Sequence, residues 1–418
     1  MSAWRGGLLM TFAKWRRVIA AGAWALLAAT APARATPADF FTLVSGASLV
    51  ATGTITEVTE SAADGFVTYD IVLEQVLGGT PAVTRVVVVQ DMIFPSDRAF
   101  FAHGDTRLFA LEPLPSSSRY AGLSHGLRLY RVRDGRHGAR GTAAAPAVRY
   151  YLLAGRDEPR QRDRERLTAL VAALRGREVG DDAVRALAVD ATPAREFSGA
   201  DVAAIAGALG DRDIPTDRRR ALLDVVAAKR LDQFASEVRA LLDEPDVAPF
   251  ARRALAVFGE TPRVDDLRAD LLRADAASRR AALDAVDALP RTERIALLGE
   301  VASADGDLAL RAAAVDALVR TGREAVPALA ALLDDGDQRI AYTAARGLAA
   351  TGGPDSIEVL TSALSGPNHG AQVAAVFALR EMGSPEALRI LREKRTAEHD
   401  PRLEKVLDLA LGVGAHEH

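Results

Sequence analysis

In the C-terminal half of this chain, five polar anchors recur with nearly constant spacing, and each is followed by the same apolar pattern. Asp275, Asp307, Asp337, Asn368 and Asp400 are 32, 30, 31 and 32 residues apart. Seven residues after each anchor stand Ala282, Ala314, Ala344, Ala375 and Leu407. Eleven after each stand Val286, Leu318, Leu348, Leu379 and Leu411, and three units reach Gly322, Gly352 and Gly383 at one shared offset. A period near thirty is the mark of a stacked helical array, in which a unit cannot bury its apolar face alone and borrows its neighbours'.

The Asp307 unit shows the chemistry of one period. Asp307 is placed to cap a helix, its carboxylate accepting from the first orphan N–H groups. Leu310, Ala314, Val315 and Leu318 form the apolar stripe, and Gly322 supplies the stop. Val326, Leu329 and Leu332 give a second helix, antiparallel to the first, with Pro327 tolerated in its first turn. Ile340, Ala344 and Leu348, then Ile357, Leu360 and Leu364, repeat the plan. Helical spacing starts at Leu167, Leu170, Val171 and Leu174, and Ala221–Val226 matches Ala281–Val286 at a distance of two periods. The unit around Asp246 is the least regular, with Pro249 and Arg253 at ordinarily apolar places. About seven helical pairs are expected over residues 160–412, Leu403–Leu411 acting as the terminal cap. Ala285, Ala317, Gly347, Ala378 and Ala410 are small where neighbouring helices must approach.

The run Asp307-x-x-Leu310-Arg311-x-x-Ala314, with Ala317-Leu318 and Gly322, resembles the HEAT family in its short, PBS-lyase-type form. That Arg is replaced by Ala341, Gln372 and Glu404 in later units, and we place it on the helix surface, outside the apolar stripe. The resemblance implies a curved, right-handed α-solenoid whose concave face, lined by second helices, presents residues 323–334, 354–365 and 385–393 to a protein partner.

Before residue 155 the period is two. Leu49–Val58 alternates, Ala63-Asp64-Gly65 makes a tight turn, and Val67, Tyr69, Ile71 and Leu73 share one face. Val86–Val89, Arg107–Leu111, Leu127–Val132 and Val148–Leu153 are further strand candidates, while residues 113–118 and 141–146 read as loops. Short strands with frequent turns point to a small barrel or sandwich. Ala47–Gly53 with Thr54–Val58, Tyr69-x-Ile71-x-Leu73-x-x-Val76-Leu77-x-Gly79, Gly104–Leu111 and Gly122–Val132 are similar to a β domain of exported bacterial proteins, laid out like OB-fold modules of the netrin and metalloproteinase-inhibitor kind. Inhibitors of that kind use an N-terminal Cys on the target metal. This chain has no cysteine, so inhibition is not implied.

The first 35 residues carry a basic cluster (Lys14, Arg16, Arg17), an uncharged run Val18–Ala29 and Ala33-Arg34-Ala35, the order of a secretory signal peptide cleaved after Ala35. The apolar run is shorter than the ~20 residues of a membrane span. Either Met1 or Met10 could be the start. Cleavage removes Arg5, Lys14, Arg16, Arg17 and Arg34 and no acid, leaving 47 basic against 56 acidic residues, a net charge of −9. An acidic, exported chain is a poor partner for nucleic-acid phosphates. The expected location is therefore periplasmic or secreted, with no transmembrane segment in the mature chain. Absence of cysteine removes disulfides and thiolate chemistry.

The fold class expected is α+β in two domains: an OB-like β barrel or sandwich over residues 36–155, an α-solenoid of antiparallel helix pairs over 160–412, and a disordered tail at 413–418. Gly122-Leu123-Ser124-His125-Gly126 matches the G-x-S-x-G nucleophile elbow, which needs a strand before it and a helix after it. Its surroundings are β, so a hairpin turn is preferred over catalysis by Ser124 and His125. None of the seven histidines forms a helical zinc pair, and His416-Glu417-His418 reads as a frayed terminus. HEAT-like iron hydroxylases carry His-Glu pairs that these repeats lack. Asp334-Asp335-Gly336-Asp337 lacks the closing Glu of a calcium loop and reads as an inter-repeat turn. Arg218–Arg220, Arg252-Arg253 and Arg279-Arg280, interleaved with acids, read as a solvated mixed-charge face. No catalytic, cofactor-binding or metal-binding residue is assigned, and no cofactor. The expected function is that of an exported, non-enzymatic protein-binding scaffold; the alternatives are an envelope hydrolase using Ser124 and His125, or a structural module of a surface complex.

Overall fold

A computed structural model describes residues 38–412 apart from 62, 81–83, 93–96, 124–126, 155–161, 192–195, 274 and 305. The signal-peptide reading, Ser124 and His125, and the C-terminal tail lie outside the described residues. The chain divides into two compact units, residues 1–192 and 193–418.

In the first unit, β1 (Leu49–Ser61), β2 (Phe66–Gly78), β3 (Arg85–Asp91), β4 (Thr106–Pro113) and β5 (Leu129–Val132) pair in the ring β1-β2-β3-β5-β4-β1, a closed five-stranded barrel. The closing contact is the short parallel pairing Val87↔Leu129 and Val88↔Tyr130. A sixth strand, β6 (Ala139–Gly141), extends the edge of β4 that β5 occupies. The alternation read from the sequence points Val67, Tyr69, Ile71 and Leu73 inward, against Leu49, Ile55, Phe109 and Leu111. β1 can pair on both sides because it bends, with register shifts at three places. Gly53 lies at one of them, where a Cβ would stand 2.7 Å from Ile71 Cγ2 and 2.8 Å from the Val72 carbonyl, so the strands close only over glycine. Gly65 turns the β1–β2 hairpin at φ 72°.

Two segments read as extended are helical. α1 (Phe40–Ser45) begins at Asp39, whose carboxylate accepts from the Thr42 amide at 2.8 Å. α2 (Ala145–Leu153) replaces the expected strand at Val148–Leu153, with Pro146 in its first turn. Its buried side chains, Ala145, Val148 and Tyr151, recur every three residues; two adjacent tyrosines hide that spacing when the sequence is read for alternation. Phe41 and Tyr151 lock α1 to α2 edge-to-face at 5.0 Å. The expected loop at 141–146 is instead the end of β6, a 3-10 turn and the start of α2.

α3 (Arg162–Ala173) and α4 (Gly180–Val189) pack against α2 and α1 respectively, within this unit. The attachment is centred on Asp182, a buried carboxylate on α4. It accepts from the Phe40 amide at 3.0 Å, from Arg140 Nε at 2.8 Å and Nη2 at 3.0 Å, and from Arg185 Nη2 at 2.7 Å. The Arg140 guanidinium also lies 4.9 Å over the Phe40 ring. One carboxylate thus ties α1, β6 and α4, and its charge is matched by bidentate Arg geometry.

The second unit is a helical repeat region. In chain order it holds α5 (Gly199–Gly210), α6 (Thr216–Ala228), α7 (Ala235–Ala240), α8 (Ala248–Val257), α9 (Val264–Leu271), α10 (Ala276–Ala285), α11 (Arg291–Ser303), α12 (Leu308–Thr321), α13 (Val326–Ala331), α14 (Gln338–Thr351), α15 (Gly353–Ser365), α16 (His369–Met382), α17 (Pro385–Ala397) and α18 (Pro401–Leu411). The first helices of successive units, α6, α8, α10, α12, α14, α16 and α18, each contact the next. All five anchors cap as read: Asp275, Asp307, Asp337, Asn368 and Asp400 accept from backbone amides two or three residues on. Gly322, Gly352 and Gly383 end their helices at positive φ. Ala285, Ala317, Gly347, Ala378 and Ala410 are buried. At Gly347 a Cβ would meet Val319 Cγ2 at 2.5 Å, which sets how closely α14 lies on α12.

Asp182→Ala in the full chain leaves Arg140 without its carboxylate and the Phe40 amide without an acceptor. We predict a loss of about 3–5 kcal/mol in urea unfolding of the first unit, the usual cost of orphaning a buried pair. An unchanged midpoint would show that the clasp is dispensable.

Candidate functional site

The second helices determine where a surface of the repeat region is left open. α9, α11, α13 and α15 follow one another in contact, and α15 and α17 together line a cleft. The cleft between them, about 690 Å³, is lined by residues of the two ranges expected on the presented face, 354–365 and 385–393, with Lys394 and Ala397 just beyond.

Each wall follows from local chemistry. α15 starts through Gly352 and Gly353, both at positive φ, with Pro354 in its first turn. It buries Leu360 and Leu364 together with Ser356, and turns Ile357, Glu358 and Thr361 to the cleft. α17 is capped by Ser384, whose hydroxyl accepts from the Ala387 amide at 3.1 Å, with Pro385 opening the helix. Ala387 and Leu391 are buried, leaving Glu386, Arg389, Ile390, Glu393 and Lys394 on the other wall. The result is an aliphatic floor of Ile357 and Ile390, backed by the buried Leu364, beneath a charged rim.

The rim's two cations are already engaged. Arg389 Nη1 donates to Glu393 at 2.7 Å, and Lys394 Nζ stands 3.0 Å from Glu398. Glu398 also accepts from the Asp400 and His399 amides at 2.9 and 2.8 Å. The Asp400 amide, then the Lys394 ammonium and the His399 amide, hold its carboxyl at about 2, well below the ordinary 4.5. Glu398 thereby links the end of α17 to the turn that starts α18.

A second finding corrects the surface placement of the repeat Arg. Arg311 is buried, 9% exposed. Its Nε donates to the Ala302 carbonyl at the end of α11 at 2.8 Å, and Nη2 reaches Asp335 in the following turn. Arg219 does the same between the Leu209 carbonyl (2.7 Å) and Glu244 (2.8 Å), and holds the Glu244 carboxyl below its usual range. Arg279 bridges the Arg273 carbonyl and Asp307, and Gln372 keeps the carbonyl half of the contact at Gly366. Each guanidinium caps the C-terminus of the preceding helix, where carbonyls lack intrahelical partners.

The same geometry revises the mixed-charge face. Arg218 and Arg219 are buried, and Arg220 lies 5.3 Å over the Phe250 ring. Arg253, at its irregular position, contacts Asp224 at 2.8 Å and Asp284 at 3.7 Å, spanning three successive first helices. Burial raises the Asp224 carboxyl against the pull of Arg253. Asp337 caps α14, and Asp335 accepts from the Asp337 amide at 2.8 Å, as the turn reading of residues 334–337 requires. Around the G-x-S-x-G run the described neighbours are the 3-10 turn Ala121–Leu123 and strand β5, not the strand and helix of an elbow. Among the described residues no three His, Asp or Glu side chains converge to hold a metal, and no helix is long and apolar enough to cross a membrane.

The comparisons with known proteins bear on the repeat region. Residues 326–412 match the HEAT repeats family, and residues 310–335 match the PBS lyase HEAT-like repeat. The phycocyanobilin lyase subunit beta of Thermosynechococcus vestitus is 31% identical over 118 residues, which is 28% of this chain and 55% of that protein. The chain thus spans about half the length of that relative. Human deoxyhypusine hydroxylase aligns over 61% of this chain and 98% of its own, at 17% identity and a TM-score of 0.26. A designed armadillo repeat protein in complex with a (KR)4 peptide aligns over 59% and 98%, at 16% identity and a TM-score of 0.20.

Two predictions concern these contacts. Arg311→Ala strands Asp335 and the Ala302 carbonyl and is expected to cost about 3–5 kcal/mol in urea unfolding. Combining Arg311→Met with Asp335→Asn, which removes both charges and keeps the Asp337 turn bond, should recover most of that loss; a double variant as weak as the single would show that the bridge is not a charge-matching contact. Glu398 has a folded value below its unfolded one, so its contribution is full above about 4.5 and disappears as the pH falls through about 2. Glu398→Gln should flatten the fall of the unfolding midpoint across that window, and an unaltered slope would refute the assignment.

Proposed function

We propose that this protein is an exported, non-enzymatic binding scaffold whose helical repeats form a solenoid of antiparallel helix pairs and receive a protein partner on the face lined by the second helices. The observation that carries the reading is the cleft between α15 and α17: an aliphatic floor with a charged rim, built from the helices expected to face the partner. Its support is threefold. HEAT repeats are commonly protein-interaction modules, the recurring Arg and Asp contacts hold a regular surface, and the charge pattern of the first 35 residues is that of a secretory signal. The barrel, in this reading, is an OB-like module of exported bacterial proteins.

The relation to a lyase subunit leaves room for an enzyme, and the rival carried by the sequence is a hydrolase acting through Ser124 and His125. Site-specific photocrosslinking separates the two. A benzophenone amino acid at Thr361 in the full chain is expected to capture one discrete protein partner in cells, and Ile390→Asp to abolish the adduct. Absence of any adduct, or one indifferent to Ile390→Asp, removes the cleft as the binding face. Ester or peptide hydrolysis by the purified protein that disappears in Ser124→Ala would establish the rival. Cell fractionation finding an uncleaved chain confined to the cytoplasm would overturn export.

A further inference from the structure

The cleft between α15 and α17 has an electrostatic sign as well as a shape. Three carboxylates, Glu358, Glu386 and Glu393, line it against two cations, Arg389 and Lys394. Both cations are already engaged, Arg389 on Glu393 with Glu386 also in its field, and Lys394 on Glu398 just past the end of α17. Glu358 on one wall and Glu386 on the other are exposed and face each other's helix across the floor of Ile357 and Ile390. A partner entering this cleft desolvates an aliphatic strip first and meets carboxylate on both sides of it.

Resting on the reading of this cleft as the partner-binding face, we propose that its occupant is a peptide segment with a branched aliphatic side chain flanked on both sides by Lys or Arg. The aliphatic anchor buries against Ile357 and Ile390, over the buried Leu364. The flanking cations answer Glu358 and Glu386; Arg389 lies in the field of Glu386 but is hydrogen-bonded to Glu393, so the rim keeps an excess of carboxylate. An acidic segment would place its charges against both walls, and like charges brought together in a partly desolvated cleft oppose binding. A neutral apolar segment would gain the floor alone. The charged rim therefore sets which partner is admitted, and the floor sets that one binds at all.

The probe is a displayed library of random dodecapeptides selected against the full-length protein. Peptides enriched on the wild type should carry Ile, Leu or Val between basic residues, with binding that weakens as salt rises. Glu358→Lys with Glu386→Lys should lower the affinity of a synthesised enriched peptide at least tenfold and shift a repeated selection toward Asp and Glu flanks. Both positions are exposed, so unchanged helical content and melting will show that the fold is kept. Ile390→Asp should abolish binding of either peptide class. Failure to enrich any peptide, enrichment of acidic or uncharged peptides, or a preference unmoved by the double reversal each overturns the proposal. If the Thr361 crosslink forms while the selected peptides lack flanking cations, the partner-binding reading stands and the basic-segment proposal falls. If the crosslink also fails, the cleft itself is the wrong site.

Discussion

The repeat region depends on how helix ends are satisfied. A helix leaves four amides and four carbonyls without partners at its ends, and an array of short helices multiplies that problem every fifteen residues or so. This chain answers it from both sides. Asp and Asn side chains take the amides, and buried guanidiniums such as Arg311 take carbonyls at the end of the preceding helix while pairing an acid in the following turn. Each such Arg touches three successive segments, so the ends that would fray instead hold one unit to the next.

Placing charge inside the array has a cost that the pairing must offset. Arg219 and Arg311 are buried, and they persist because carbonyl and carboxylate together use the fork geometry of the guanidinium. Where the unit changes to Gln372, the carbonyl contact at Gly366 survives and the ionic half is gone. At Ala341 both are absent. The contact is thus a helix cap to which an ion pair is added, and the array can dispense with the latter more readily.

The first unit uses a comparable device once. Asp182 gathers the Phe40 amide and the Arg140 guanidinium from segments far apart in sequence, with Arg185 of its own helix beside them, and so draws α4 onto α1 and β6. The barrel above it closes through only two parallel residue pairs, Val87↔Leu129 and Val88↔Tyr130. Its packed interior of Tyr69, Phe101 and Phe109, with rings edge-to-face, supplies the cohesion that so short a ladder does not.

What the sequence determined by itself was everything that acts within about four residues. The caps at Asp275 through Asp400, the stops at Gly322, Gly352 and Gly383, and the inward faces of β1 and β2 were legible because capping, positive φ and side-chain alternation are local. Of the cleft between α15 and α17 only the two helical ranges, 354–365 and 385–393, were legible; Ile357 and Leu364 read as stripe residues and nothing singled them out as lining it. Tertiary structure decided the rest. Arg311 looked like a surface residue because its offset falls outside the stripe; only the carbonyl of a neighbouring helix and an acid 24 residues on draw it inside. Val148–Leu153 became a helix because Tyr151 has Phe41 to pack on. The cleft itself is a spacing between two helices, and no local pattern encodes how far apart α15 and α17 will stand.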